Sequence, residues 1–153
     1  PRNIHAHVYG EHGDSSFVPW SLATIANNNI SIYKDHSPDG DKIVFDGNCE
    51  IFEEKVRTSG AVVIKAKGVT NNAIAMAVCH IVRCIFNGAG TALTVSTMMN
   101  GEYGIEDVCL SVLCIVDHDG VRGKIRNDLT PEELEKLRRS ANKLKETIAA
   151  IKF

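Results

Sequence analysis

An imidazole and two carboxylates stand together with two glycines and a serine in the six residues Gly10-Glu11-His12-Gly13-Asp14-Ser15. An imidazole changes protonation near neutral pH, so His12 can give or take a proton in a carbonyl reaction, provided another group fixes its tautomer and stabilises its charged form. The spacing alone also admits a second reading, a turn histidine that only makes hydrogen bonds. What favours the chemical reading is position, because a turn between two regular elements displays its side chains.

The elements around this turn follow from the pattern of apolar residues. Ile4 to Tyr9 alternates with His5 and His7 and stops at Gly10, which predicts a strand. Asp14, Ser15 and Ser16 are good N-cap types, and Phe17, Trp20, Leu22 and Ile25 keep helical spacing, so a helix is expected up to Asn27. Residues 34 to 48, with DHSPDGD at their centre, read as an exposed surface loop. Ile51 to Lys67 reads as a helix with a kink near Ser59 and Gly60, closed by Gly68. Asn71 to Asn87 is apolar nearly all round, the pattern of a buried helix. Leu93 to Thr97, Val108 to Val116 and a short strand ending near Ile125 predict an antiparallel meander. Thr130, Pro131 and Glu133 occupy N-cap, first-turn and capping-box positions, and Leu134, Leu137, Ala141, Leu144, Ile148 and Ile151 then form one apolar stripe. The expectation is an α+β fold, long helices packed on an antiparallel sheet, with residues 1 to 153 as one domain.

Bulk composition narrows the function classes. With 153 residues, 44% hydrophobic, 24% charged and a net charge of -2, the chain has the size and make-up of an ordinary globular domain. It has no basic excess with which to neutralise phosphates or anionic lipid, so neither nucleic acid nor membrane is expected as a partner. The 5 cysteines, an odd set without a C-x-x-C pair, suit reduced thiols and a cytoplasmic location. No stretch approaches the roughly 20 consecutive apolar residues of a membrane span. The chain opens at Pro1 and enters an apolar segment almost at once, which reads as a piece of something longer.

Four segments carry a family resemblance in order along the chain. GEHGDSSFVPWS resembles the active-site histidine segment of L-lactate dehydrogenases, and SGAVVIKAKGVTNNAIAMAV, GEYGIEDVCLSV and LTPEELEKLRRSANKLKE resemble later segments of the same family. The resemblance implies the carboxyl-terminal, substrate-facing domain of an NAD-dependent enzyme that interconverts pyruvate and L-lactate, with His12 as the proton donor and acceptor. It implies that Thr70 lines the substrate pocket and that Ile74, one helical turn on, packs against the nicotinamide ring. Read without it, Thr70 is a helix cap and Ile74 a core residue. PRNIHAHVYGEHGD resembles the bacterial branch, where a histidine at the place of His5 helps bind the activator fructose 1,6-bisphosphate between subunits of a homo-oligomer. The family's Gly-rich dinucleotide turn, mobile loop, substrate-clamping arginine and histidine-orienting aspartate lie upstream of these segments. Nothing in this sequence matches G-x-G-x-x-G. The expectation is therefore a chain that is inactive alone.

Rival readings are a metal site from His5, His7 and His12 with Asp14, a hydrolytic triad from Ser15, His12 and Asp14, and a non-catalytic association domain. The first lacks helical i, i+4 ligand spacing, so no metal is expected. The second asks adjacent turn residues to form a relay and has no G-x-S-x-G elbow. Malate or another 2-hydroxy acid is the alternative substrate, and Thr70 leans toward lactate because malate dehydrogenases usually carry a smaller residue there.

Overall fold

The computed structural model describes residues 3–32, 35–37, 40–42 and 49–151. Its centre is a three-stranded antiparallel meander of β6 (Thr91–Asn100), β7 (Glu106–Asp117) and β8 (Gly120–Lys124), in that spatial order. β7 is the middle strand because it is the most apolar. Val108, Leu110, Val112, Cys114 and Val116 recur with the period of a strand and are all buried. Tyr9, Phe17, Met99, Leu137 and Ala141 complete the core around them. The strands extend beyond the expected bounds, and the meander itself is as the alternation predicts.

α3 (Pro131–Ala150) lies across β7. Its start is fixed locally: the Glu133 amide donates to Thr130 Oγ1 at 3.2 Å while Thr130 N donates to Glu133 Oε2 at 3.0 Å. The same carboxylate accepts from the Ser21 amide at 3.0 Å and from its hydroxyl at 2.5 Å, so one capping residue also anchors the amino-terminal segment.

That amino-terminal segment departs from expectation. Of Ile4 to Tyr9 only β1 (Ile4–His5) is a strand, paired with β2 (Thr24–Ile25), which in turn pairs with β3 (Asn28–Asn29). No helix forms over residues 14 to 27 beyond a single 3-10 turn at Trp20–Leu22. The reason is competition from pairing: Tyr9 N donates to Phe17 O at 2.8 Å and Phe17 N to Tyr9 O at 3.1 Å, so both Phe17 backbone groups are already spent. Pro19 then has no amide to offer a helix. The loop at 34 to 48 contains a short hairpin of β4 (Asp35–Ser37) and β5 (Gly40–Lys42). Residues 34, 38–39 and 43–48 of that expected loop lie outside the described ones.

α1 (Cys49–Lys67) runs as uninterrupted helix through Ser59 and Gly60, with the Ser59 hydroxyl donating back to the Val56 carbonyl at 2.8 Å. Gly68 ends it at φ +82, its amide on Ile64 O. α2 (Asn72–Asn87) has the expected length but not the expected burial. Cys84 is its one buried residue, whereas Met76 is 72% and Phe86 84% exposed. An all-round apolar sequence states that a helix needs covering on every side. The described residues cover only one side of the last two turns of α2, at Ile81, Cys84 and Ile85.

Candidate functional site

The turn from Gly10 to Ser16 is held from two directions. Gly10 exchanges backbone hydrogen bonds with Ser111 of β7, at 3.0 and 2.9 Å, so the turn leaves directly from the middle strand. From the other side, Ser140 of α3, fully buried, places its Oγ 2.6 Å from the Glu11 amide and 3.0 Å from the Ser15 hydroxyl, accepting from both. Glu11 folds back under the turn, where Oε1 accepts from the Ser15 amide at 3.4 Å and pairs with Lys143 Nζ at 3.3 Å. The Ser16 amide closes the turn on Gly13 O at 3.1 Å. Glu11 and Ser15 thus spend their side chains on holding the turn, whereas no hydrogen bond of the turn runs through His12, and the exposed Asp14 lies 3.7 Å from Lys143.

His12 borders a cleft of about 800 Å³ between this turn and the helices α1 and α2. Thr70 and Ile74 border the same cleft, as do Val56 and Arg57 of α1. Residues expected from sequence to act together are therefore brought together, although Thr70 and Ile74 are far from His12 in the chain. Two simpler readings do not hold. The N-cap of α2 is Asn71, not Thr70. Ile74 is 63% exposed, which is not the burial of a core residue.

His5 stands apart, exposed on β1 and outside the cleft, whereas His7 lines it. His7 Nδ1 lies 3.2 Å from Thr94 Oγ1, and burial, helped by the nearby His5, lowers its pKa and favours the neutral ring. The Tyr9 phenol donates to Asn127 Oδ1 at 2.8 Å, and burial pushes its pKa up to about 12, so it keeps its proton at neutral pH. Among the described residues no three or more His, Cys, Asp or Glu side chains converge as metal ligands. The Ser15 hydroxyl donates to Ser140 rather than to an imidazole, which leaves a hydrolytic relay without its first bond.

Sequence reasoning did not single out Ser140, Lys143 or Arg57. Ser140 had a signal: it falls three residues after Leu137 and next to Ala141, a hydroxyl on the apolar stripe of α3. A polar group placed there must find a buried partner. Ser140→Ala removes the acceptor of the Glu11 amide and the Ser15 hydroxyl. We expect a loss of about 1–3 kcal/mol of stability, seen as a lower urea midpoint with unchanged slope.

The chain matches, over residues 1–152, the family described as lactate/malate dehydrogenase, alpha/beta C-terminal domain. It is 39% identical to L-lactate dehydrogenase 2 of Clostridium acetobutylicum over 98% of its own length and 46% of that protein's. It superposes on the solved L-lactate dehydrogenase of Clostridium thermocellum with a TM-score of 0.84 at 37% identity, covering 99% of this chain and 48% of that one. A lactate dehydrogenase from a Medee basin deep-sea metagenome library gives a TM-score of 0.89 at 33% identity, covering 97% and 46%. The chain spans about half the length of the curated relatives it matches.

Proposed function

The chain belongs to the lactate/malate dehydrogenase family, matching its alpha/beta C-terminal domain, and from that premise we propose that it is the substrate-facing domain of an NAD-dependent L-lactate dehydrogenase. The observation that carries the reading is the convergence of His12, Thr70 and Ile74 on one cleft.

His12 is the proton donor to the substrate oxygen during pyruvate reduction and the acceptor during lactate oxidation. As the carbonyl carbon is reduced, negative charge builds on oxygen, and a protonated imidazole within hydrogen-bond reach first stabilises and then neutralises it. The turn suits this work because Ser111, Ser140 and Lys143 hold its backbone and carboxylates, which leaves the imidazole free to face the cleft. Thr70 confines the substrate's side of the cleft. NAD, when bound, supplies or accepts the hydride. Of this chain's residues, Ile74 with its neighbours Ala73 and Ala77 offers an exposed apolar wall against which a flat nicotinamide ring fits. No glycine-rich phosphate turn is present in the sequence to hold the rest of the cofactor.

The reading extends to pyruvate and L-lactate as substrates, to a cytoplasmic homo-oligomer, and to His5 as a ligand of fructose 1,6-bisphosphate at a subunit boundary. The exposed, strand-borne position of His5 outside the cleft supports a role separate from catalysis. No helix among the described residues is long and apolar enough to cross a membrane.

Alone, the 153-residue chain is expected to show no NADH-dependent reduction of pyruvate above background. Joined behind the amino-terminal half of the Clostridium acetobutylicum relative, it is expected to turn over pyruvate at a rate set by its own cleft. Activity of the pure chain refutes its expected dependence on a second half, and a folded fusion that reduces neither pyruvate nor another 2-oxo acid overturns the assignment. A fusion that prefers oxaloacetate transfers it to malate.

A further inference from the structure

α1 is a 19-residue helix with a single buried residue, and that residue is a carboxylate: Glu53 is 4% exposed. Apolar burial holds little of this helix among the described residues: Phe52 meets the Trp20 ring edge-on, with centroids 6.4 Å apart, but Val56 is 46%, Val62 64% and Ile64 48% exposed. The Glu53 carboxylate is met by donors from two other elements and by one from α1 itself. The Trp20 indole N–H donates to Glu53 Oε1 at 2.9 Å, and Lys136 Nζ of α3 lies 3.3 and 3.4 Å from the two carboxylate oxygens. Arg57 Nη1, one helical turn on, is 3.5 Å from Oε2 and also donates to the Ser16 carbonyl at 3.3 Å. Ser16 is the last residue of the His12 turn, and Arg57 and Val56 line the cleft that His12 faces.

We infer that Glu53 is a positioning residue: its buried carboxylate, gripped by Trp20, Lys136 and Arg57, fastens α1 to α3 and to the segment following the His12 turn, and so sets the separation of the cleft walls. A buried charge held by two cations and an indole has few alternative arrangements, because any displacement strands a charge away from water. The same energy applied through an apolar contact would let the helix slide or roll. Directional bonds give α1 a fixed register over the turn although little of its surface is buried. Glu54, its neighbour in sequence, makes the contrast, since its side chain is 63% exposed and its carboxylate accepts from Arg57 Nη2 at 3.0 Å.

The fastening stands on geometry alone, whereas its effect on turnover rests on the dehydrogenase reading, and the test separates the two. Glu53→Gln keeps the shape and an acceptor for the indole but removes the charge that Lys136 and Arg57 grip. Amide hydrogen exchange of the 153-residue chain is expected to quicken at least tenfold over residues 49–67, with β7 and α3 unchanged. The indole N–H resonance of Trp20, the single tryptophan, is expected to shift. Glu54→Gln removes the same charge one residue away and is expected to alter neither signal. In the fusion, Glu53→Gln is expected to raise KM for pyruvate at least fivefold with a smaller fall in kcat, the pattern of a displaced wall with an intact proton donor.

Unchanged exchange over α1 overturns the fastening. Equal quickening over α1, β7 and α3 reduces Glu53 to a general stabiliser, and a loosened α1 with unaltered kinetics overturns the positioning role. An inactive fusion of the unsubstituted chain refutes the dehydrogenase reading while the exchange result still decides the fastening. Should Glu53→Gln not fold, Lys136→Met withdraws one cation while keeping an unbranched side chain of similar length, and is expected to give the same local pattern at about threefold.

Discussion

His12→Gln in the fused enzyme is expected to lower kcat for pyruvate reduction by about 10²–10⁴, with little change in KM and almost none in stability. A glutamine amide can donate a hydrogen bond to the substrate oxygen, so much of ground-state binding survives. It cannot hand over a proton, and it carries no positive charge to meet the alkoxide as it forms. Loss confined to the transition state appears in kcat rather than KM. Stability is spared because His12 is exposed and no hydrogen bond of the turn runs through its ring; such surface substitutions usually change stability by about 0.5 kcal/mol or less. Initial rates of NADH oxidation together with a urea titration measure both. A variant that retains activity within tenfold removes His12 from the chemistry. A variant that unfolds shows instead that His12 holds the turn.

The parts of the fold that were legible in the sequence are those whose causes are local. α3 could be placed because Thr130, Pro131 and Glu133 define its start within four residues and its stripe continues for five turns. β7 could be placed because apolar residues at every second position leave little else for the chain to do. The segment after His12 could not, because the groups that divert it from helix are Tyr9 on one side and Glu133 on the other, the latter 112 residues from Ser21. Helical spacing is a property of the segment; the competing bonds are properties of the fold. α2 was misjudged for a related reason. Its sequence reports an apolar helix, and the presence of a covering surface is decided by whatever else is folded around it.

The candidate site divides along the same line. His12 between two glycines drew attention by composition, but Thr70 and Ile74 were ordinary residues until the family resemblance picked them out, and only the fold puts all three on one cleft. Ser140 and Glu53 were passed over because each is unremarkable among its neighbours. A serine in a charged helix and one of three glutamates in CEIFEE-type spacing near a lysine gain meaning only from partners 129 and 83 residues away. Both hold the walls of the cleft rather than face it. Positioning groups are harder to read than reacting ones because no chemistry restricts which residue type can do the work.

The clamp on the turn is most severely tested at Gly10. Its backbone sits at φ +97, a conformation that costs an L residue about 1–3 kcal/mol. A Cβ built there falls 2.6 Å from Ser140 Oγ and 3.2 Å from Ser140 Cβ. Ser140 has no room to yield, because the same oxygen accepts from the Glu11 amide and the Ser15 hydroxyl, and moving it forfeits bonds of about 1 kcal/mol each. Overpacking of a buried contact adds about 1–3 kcal/mol. Gly10→Ala is therefore expected to remove at least about 3 kcal/mol, a large share of the roughly 5–15 kcal/mol that a domain has. Gly60→Ala supplies the control: a Cβ at Gly60, inside α1, meets nothing within 4 Å, so that change is expected to stabilise by about 0.5–1 kcal/mol. Urea midpoints of the two variants should move in opposite directions. A Gly10→Ala midpoint within about 1 kcal/mol of the parent would mean that Ser140 does not grip the turn. Because His12 follows only two residues later, the fused Gly10→Ala enzyme should lose kcat even under conditions where it is fully folded, which ties the strain at one glycine to the aim of the imidazole.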